Sequence, residues 1–249
     1  MLSGAELDRY ARQIILPQFG GAGQARLKQS HVAVIGAGGI GCPAITYLAA
    51  AGIGQLTIID DDVVETSNLH RQPLFSDADV GNAKADVAAA AARRINPHVA
   101  VVARRIRLDS TNAEDLLAGA SLILDGCDNF PTRLAVNRAS VARHVPLLSA
   151  AIGAFEGQLA LYEGWRADAP CYACLVGDDP DRPGINCAEA GVMGALAGMV
   201  GTMAALEAVR ALTGWGEPLA GRLVITDMLT RRWREVAVPK EPECPICRG

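Results

Sequence analysis

Short apolar segments alternate with helix-forming segments up to residue 152, and this alternation limits the fold more than any other feature of the sequence. The predicted strands are His31–Ile35, Gln55–Asp60, Val99–Ala103, Leu122–Asp125 and Pro146–Ile152. The predicted helices between them are Pro43–Ala51, Asn82–Ile95, Asn112–Leu117 and Asn129–His144. Repeated βα units form parallel sheets with helices on both faces. The sequence therefore predicts an α/β fold with a Rossmann-like, mostly parallel sheet.

The pattern changes after residue 152. Gln158–Tyr162 alternates polar and apolar residues, and a long polar stretch covers residues 164–189. An apolar helix is predicted at Ala190–Leu206, followed by two strands at Gly221–Thr226 and Arg232–Val238. Successive strands without a helical crossover pair as antiparallel neighbours. We therefore expect an antiparallel C-terminal extension, with residues 1–249 forming one domain.

Composition excludes several classes of protein. Half of the 249 residues are hydrophobic, a fifth are charged and the formal net charge is −4, which excludes disordered, collagen-like and coiled-coil chains. The charge does not favour nucleic acid or an anionic membrane as the main partner. Met1–Arg12 lacks the apolar core of a signal peptide,. We therefore expect a cytoplasmic protein.

The apolar segment Ala190–Leu206 requires a separate interpretation. It has 17 residues, many of them small, and includes Gly194 and Gly198. A membrane-spanning helix needs about 20 apolar residues. We therefore predict a fully buried helix of a soluble protein, packed closely through its small residues.

A glycine-rich loop follows the first predicted strand and opens the next helix. Its glycines are Gly36, Gly38, Gly39 and Gly41, and they let the backbone approach a phosphate while the helix N-terminus presents N–H groups to it. Asp60, at the end of the second strand, stands where a carboxylate normally binds ribose hydroxyls. These residues indicate a nucleotide site, and considered alone they suggest NAD.

Polar residues at the other strand ends change that interpretation. They are the run Ser67–Gln72, Lys84, Asp128 and Asn129. Ligands bind at the carboxyl ends of parallel strands, so these residues and Asp60 should meet in one crevice. A triphosphate needs several cations and a metal, and Asp128 supplies an oxygen ligand for Mg²⁺. Each residue taken alone is equally compatible with a surface charge or a helix cap.

Four of the seven cysteines are spaced for metal binding. Cys171 and Cys174 form one C-x-x-C pair, and Cys244 and Cys247 form another. Four thiolates suit a tetrahedral Zn²⁺, which would be structural because no position is left for water. Independent redox pairs or unpaired thiols are the alternative.

The remaining cysteines have different interpretations. Cys187 precedes the apolar helix, and a helix N-terminus favours the thiolate form, which makes it a candidate nucleophile. The alternative is a small residue at the start of a helix. Cys42 and Cys127 are interpreted as small buried apolar residues.

Five motifs occur together between Arg9 and Cys247. They are Arg9-Tyr10-x-Arg12-Gln13-Ile14-Ile15-Leu16, Gly36-x-Gly38-Gly39-x-Gly41, Ser67-Asn68-Leu69-x-Arg71-Gln72, Asp128-Asn129 and the two C-x-x-C pairs. This combination resembles the ThiF/MoeB/HesA family, bacterial relatives of the ubiquitin-activating enzymes.

The resemblance implies adenylation of a ubiquitin-like sulfur carrier protein. The carrier's C-terminal Gly-Gly carboxylate attacks the α-phosphate of Mg-ATP, and sulfur transfer then makes a thiocarboxylate for thiamine or molybdopterin synthesis. The nucleotide-binding residues that it implies are Gly36, Gly38, Gly39, Gly41, Asp60, Asp62, Ser67, Asn68, Leu69, His70, Arg71, Gln72, Lys84, Asp128 and Asn129.

The resemblance also implies individual roles. Arg71 and Lys84 would hold phosphates, and Asp128 would bind Mg²⁺. Arg12 resembles an arginine that reaches the neighbouring subunit's site, which implies a homodimer. Cys187 matches the cysteine used in sulfur or acyl transfer.

Several alternatives stay open at this point. Residues 1–152 would bind the nucleotide, and residues 153–249 would bind the carrier and zinc. The competing functions are an NAD-dependent oxidoreductase, which the cationic residues disfavour, and an inactive zinc-stabilised binding module. The residues do not separate a thiamine-type from a molybdopterin-type carrier. No rhodanese-like sequence follows Cys247, so we expect a separate sulfur donor, either a cysteine desulfurase or a rhodanese-type protein.

Overall fold

The computed structural model describes residues 1–179 and 191–248, which contain an eight-stranded mixed sheet. The strands are β1 His31–Ile35, β2 Gln55–Ile59, β3 Ala100–Arg104, β4 Leu122–Asp125, β5 Leu147–Ile152, β6 Glu156–Tyr162, β7 Arg222–Asp227 and β8 Arg232–Ala237. Their order in the sheet is β3-β2-β1-β4-β5-β6-β7-β8. The first five strands in this order are parallel, and β6, β7 and β8 extend the sheet in antiparallel fashion. Both the parallel sheet and its antiparallel extension are confirmed.

Helices cover both faces of this sheet. They are α1 Gly4–Ile14, α2 Gly20–Gln29, α3 Gly41–Ala51, α4 Lys84–Ile95, α5 Ala113–Leu116, α6 Phe130–Arg143, α7 Tyr172–Val176 and α8 Gly194–Thr213. Alternate residues of β1 point into two separate apolar cores. Val32 and Val34 join the core with α3, α4 and α8, while Ala33 and Ile35 join the core with α5, α6 and α7. The period of two along a strand therefore places one layer of helices on each face.

Local sequence signals end or begin the helices next to the site. Gly52 ends α3 in the left-handed region with φ of 87°, as expected of a glycine just beyond a helix. Asn129 caps α6 by accepting a hydrogen bond from the Thr132 N–H at 3.0 Å, with Pro131 in the first turn. These predicted boundaries are confirmed, and they fix where α3 ends and where α6 begins.

Helices α1 and α2 were not predicted, although their sequence contains a signal for the first. Ser3 and Glu6 form a reciprocal capping box at the start of α1,. Glu6 also forms an ion pair with Lys28 of α2 at 2.7 Å. The hydrogen bond from Lys28 lowers the pKa of Glu6 to about 2. This buried carboxylate joins the two N-terminal helices.

Helix α8 is only half buried, so the prediction of a fully buried helix was wrong. Val200 is 2% exposed whereas Leu206 is 60% exposed, because α3 and the sheet cover one side of the helix. A Cβ on Gly201 would lie 2.3 Å from the carbonyl oxygen of Ile40, which confirms close packing through a small residue. Among the described residues, a Cβ on Gly198 would have no contact within 4 Å. The helix is long and apolar enough to span a membrane, but half-burial against a sheet is typical of a core helix.

Candidate active site

Three segments of the predicted nucleotide site meet at the carboxyl ends of β1, β2 and β4. The sheet order reverses direction between β1 and β4, and ligands of open α/β sheets bind at such a switch point. The segments are the glycine loop 36–41, the run 67–72 and the loop 126–129. The predicted convergence of these segments is confirmed by the contacts between them.

The glycine loop is packed too tightly for a side chain at Gly36 or Gly41. Gly36 has φ of 85°, and a Cβ there would lie 3.3 Å from the carbonyl oxygen of Gly126. A Cβ on Gly41 would lie 1.9 Å from the carbonyl oxygen of Gly36. Within the described residues, no side chain caps the N-terminus of α3. The Cys42 N–H donates to the carbonyl oxygen of Gly38 at 2.9 Å, and Pro43 has no N–H, so α3 favours an anion mainly through the partial positive charge of its N-terminus.

Asp60 orders the glycine loop. Its Oδ2 accepts a hydrogen bond from the Ala37 N–H at 2.7 Å, and its Oδ1 accepts one from the Asp62 N–H at 2.8 Å. Burial raises the pKa of Asp60. The carboxylate thus holds the turn of the glycine loop in place.

Lys84 brings a buried cation to the same edge of the sheet. Its side chain is 7% exposed, and its Nζ donates to Asp62 Oδ2 at 2.8 Å. It is the first residue of α4, which begins two residues after the predicted start at Asn82. Because Asp62 is mostly exposed, the pair is open to solvent on the Asp62 side. A bound phosphate can therefore compete for the ammonium group.

Arg71 lies against the glycine loop. A Cβ on Gly39 would lie 3.5 Å from the carbonyl oxygen of Arg71. The guanidinium donates to the carbonyl oxygen of Ser67 at 2.9 Å and lies 2.9 Å from His70 Nε2. His70 therefore contacts a predicted phosphate-binding residue directly.

Two buried amide oxygens in this segment have no partner among the described residues. They are Asn68 Oδ1 and Gln72 Oε1. The other amide atom of Gln72, Nε2, would lie 3.8 Å from a Cβ on Gly38, so this side chain adjoins the glycine loop. A buried acceptor without a donor is costly. A ligand with hydroxyl or amino donors would satisfy both oxygens.

Asp128 and Asn129 follow β4 next to the glycine loop. A Cβ on Gly126 would lie 3.1 Å from Ile40 Cγ2, so the two loops pack directly on each other. Asp128 is exposed, which leaves its carboxylate accessible to a cation. Sequence reasoning missed Arg133, which is buried behind this loop and binds the carbonyl oxygen of Cys127. The sequence signal for Arg133 is its spacing of four residues from Asn129, which places both residues on one face of α6. This spacing alone does not show that the face is buried.

Arg12 is not brought to this site within the chain. Its neighbour Gln13 donates to the carbonyl oxygen of Ala51 at 3.0 Å, and Arg9 donates to that of Ile95 at 3.2 Å. These acceptors lie at the C-terminal ends of α3 and α4, whereas the site lies at their N-terminal ends. Eleven residues of helix separate the ends of α3 by about 16 Å,. Arg12 therefore lies at the opposite end of the helical layer.

The four cysteines of the C-x-x-C pairs form one cluster. Their sulfur atoms all lie within 4.8 Å of one another. Cys171 lies 3.7 Å from Cys244 and 3.9 Å from Cys174, and Cys174 lies 3.5 Å from Cys247. A Zn–S distance of about 2.3 Å gives a tetrahedron with S–S edges of about 3.8 Å. The donor set and its spacing therefore fit a zinc ion.

The surroundings of the cluster also suit a metal. Cys171 and Cys244 are buried, and Asn137 Nδ2 donates to Cys171 Sγ at 3.4 Å. Burial raises the pKa of the Cys171 thiol to about 11, so this thiol stays protonated at neutral pH without a cation. Cys42 is buried as predicted, and Cys127 is half-buried. Cys187 lies outside the described residues.

The sequence matches a known family over nearly its whole length. The ThiF family matches residues 10–246. The chain belongs to the ThiF family. A sulfur carrier protein adenylyltransferase of Thermus thermophilus is 47% identical over 247 residues, which cover 97% of this chain and 91% of the relative. A molybdopterin-synthase adenylyltransferase of Salmonella typhimurium is 43% identical over 249 residues, covering 99% and 98% of the two chains. The ThiF-family resemblance is thus confirmed.

A solved structure shows the same fold. The crystal structure of Escherichia coli MccB with ATP has a TM-score of 0.84 to this ThiF-family chain, with 25% sequence identity. The match covers 96% of this chain and 74% of that one.

Proposed function

We infer that this ThiF-family protein is an ATP-dependent adenylyltransferase that activates the C-terminal glycine carboxylate of a ubiquitin-like sulfur carrier of the ThiS or MoaD type. The convergence of the glycine loop, Arg71, Lys84 and the loop bearing Asp128 on one sheet edge carries this inference. Two relatives that match over more than nine-tenths of both chains are named as adenylyltransferases. Neither NAD-dependent oxidation nor an inactive binding module is supported by these relatives.

The residues at the sheet edge suit nucleotidyl transfer. A carboxylate oxygen of the carrier attacks the α-phosphorus of ATP, the bond to the β-phosphate oxygen breaks, and pyrophosphate leaves. Arg71, Lys84 and the N-terminus of α3 stabilise the negative charge of the phosphates. Mg²⁺ bound at Asp128 would neutralise further charge on the phosphates. The partnerless oxygens of Asn68 and Gln72 accept hydrogen bonds from hydroxyl or amino groups of the nucleotide.

One assay distinguishes which of the two carrier types is the substrate. ATP–pyrophosphate exchange should appear with a carrier that ends in Gly-Gly and should be absent with the same carrier lacking its last two residues. Running the assay in parallel with a thiamine-type and a molybdopterin-type carrier identifies the pathway. Absence of exchange with every such carrier would contradict the function.

Zinc at the four cysteines would be structural. The cluster joins α7 and its N-terminal cap to the C-terminal turns of the chain, and four thiolates leave no position for a substrate. This site lies on the side of the sheet that carries α6 and α7. In the proposed enzyme it holds the antiparallel part of the molecule in place.

A homodimer would bring Arg12 to the site. Within one chain Arg12 lies at the far end of α3, so a role in catalysis requires a second copy. The exposed side of α8, with Leu206 at 60% exposure, offers an apolar surface for such a copy. We expect the dimer to be cytoplasmic.

Arg12 and Asp128 variants test this arrangement. Arg12→Ala and Asp128→Ala should each abolish ATP–pyrophosphate exchange. A hybrid dimer with one chain of each variant should recover about half of the wild-type activity. The reason is that one of its two sites then has an intact Asp128 and an intact Arg12 from the other chain. The control is a hybrid of wild type with the double variant. It should be inactive if Arg12 acts in trans and half-active if Arg12 acts within its own chain.

Cys187 is proposed to act after adenylation. The acyl-adenylate forms without a thiol, and a thiolate is useful only in the transfer step that follows. Cys187→Ala should therefore leave exchange intact and lower thiocarboxylate formation, measured by mass spectrometry of the carrier with a separate sulfur donor present. Normal thiocarboxylate formation would remove Cys187 from the mechanism, and loss of exchange would place it in the nucleotide site or the fold.

A further inference from the structure

Arg133 of α6 is a buried cation. Its side chain is 8% exposed, and the side chain of its ion-pair partner Asp125 is 1% exposed. Although burial acts to lower the pKa of Arg133, the negative charge of Asp125 and its neighbours raises it above the usual range. The guanidinium is therefore charged, and a buried charge persists where its hydrogen bonds are satisfied.

The hydrogen bonds of Arg133 join the end of β4 and the turn after it to the middle of β5. Nη1 donates to Asp125 Oδ2 at 3.3 Å and to Ser149 Oγ at 3.0 Å. Nη2 donates to the carbonyl oxygen of Ala150 at 2.9 Å and to that of Cys127. Asp125 and Cys127 flank the turn after β4, while Ser149 and Ala150 belong to β5. One planar side chain thus fixes the loop 126–129 against the neighbouring strand.

The same helix face continues to the cysteine cluster. Asn129, Arg133 and Asn137 follow one another at intervals of four residues, which places them on one face of α6. The Arg133 guanidinium carbon lies 6.0 Å from the ring centroid of Tyr172. Asn137 accepts a hydrogen bond from the Tyr172 N–H at 2.9 Å. Arg133 is therefore held from behind by α7 as well as by the sheet.

We propose that Arg133 is a positioning residue for adenylation: it holds the loop 126–129, and Asp128 with it, in place beside the glycine loop. The identity of the reaction rests on the proposed function, whereas the constraint on the loop does not. Among the described residues, the partners of the Arg133 guanidinium are Asp125, Cys127, Ser149, Ala150 and Tyr172. None of these belongs to the glycine loop, so the effect of Arg133 passes through Asp128 and the N-terminus of α6.

The test uses Arg133→Lys in the full-length protein, with Arg138→Lys as the matched control. Lysine keeps the charge but not the planar fork that reaches four acceptors. Arg138 lies on the same helix, is half-exposed and pairs with Asp178. Amide hydrogen exchange should become faster at residues 126–129 in Arg133→Lys and stay unchanged in Arg138→Lys.

Binding and kinetics supply the second readout. Arg133→Lys should raise the Mg²⁺ concentration for half-maximal pyrophosphate exchange and lower kcat/KM about 10- to 100-fold, the usual cost of a misplaced site. Calorimetric binding of Mg-ATP should weaken in parallel, and high Mg²⁺ should restore part of the activity. A role confined to stability would lower the melting temperature without changing the Mg²⁺ dependence.

A double variant keeps the proposal testable if Arg133→Lys does not fold. Asp125→Asn combined with Arg133→Met removes both buried charges, which leaves neither one unpaired. Its backbone amides at residues 126–129 should also exchange hydrogen faster than those of the wild type. Wild-type hydrogen exchange in that loop, in either folded variant, would overturn the proposal. If the wild-type protein shows no ATP–pyrophosphate exchange with any carrier, the proposed function fails. The amide hydrogen-exchange result still decides whether Arg133 holds the loop.

Discussion

Asp128→Ala is expected to lower carrier-dependent ATP–pyrophosphate exchange by about 100-fold or more. Asp128 is the exposed carboxylate of the loop that packs on the glycine loop, and it is the proposed Mg²⁺ ligand. Its removal takes away the charge that holds the metal on the phosphates. Because the side chain is exposed, the melting temperature should change by no more than an ordinary surface substitution causes.

The control for this prediction is Asp115→Ala. Asp115 is an exposed aspartate in the short helix α5, away from the three converging segments. It should retain full exchange activity. Near-normal exchange in Asp128→Ala, in protein with wild-type stability, would remove Asp128 from the reaction.

The second large effect is expected at the cysteine cluster. Purified protein should contain one zinc per chain by elemental analysis. Cys244→Ser should lose that metal and lower the melting temperature by about 10 °C or more, because metal-binding free energy at a structural site is folding free energy. The cluster joins α7 to the C-terminal turns. The substitution also removes the Cys244 sulfur, which lies 3.7 Å from the sulfur of Cys171.

The control cysteine is Cys127, which lies outside the cluster. Cys127→Ala should keep the zinc and most of the stability. A well-folded wild-type protein without bound metal, or a Cys244→Ser variant with wild-type zinc content, would refute the structural zinc site.

Local signals made much of this fold predictable. The strands of the parallel sheet are short apolar segments, and Gly52 and Asn129 end or begin helices through their own backbone and side-chain chemistry. Such signals act within a few residues, so they can be read without the tertiary structure. The capping box of Ser3 and Glu6 is equally local, and it would have identified α1.

Features that depend on packing were not visible in the same way. Arg133 is charged and helical, a combination that usually indicates a surface position, and only the sheet and α7 around it make it buried. The apolar composition of α8 predicted burial, but composition does not tell which side of a helix is left uncovered. The partnerless oxygens of Asn68 and Gln72 also depend on the way in which distant segments enclose them.

The most direct test of the central claim is the intact mass of the carrier after reaction. A ThiS- or MoaD-type carrier ending in Gly-Gly is incubated with this protein, ATP and Mg²⁺, without a sulfur donor, and the mixture is quenched in acid. The account predicts a carrier whose mass has increased by one adenylyl group, formed with release of pyrophosphate, and no increase for a carrier lacking the terminal Gly-Gly. An unchanged mass for both carrier types, in the presence of folded protein and bound ATP, would contradict it.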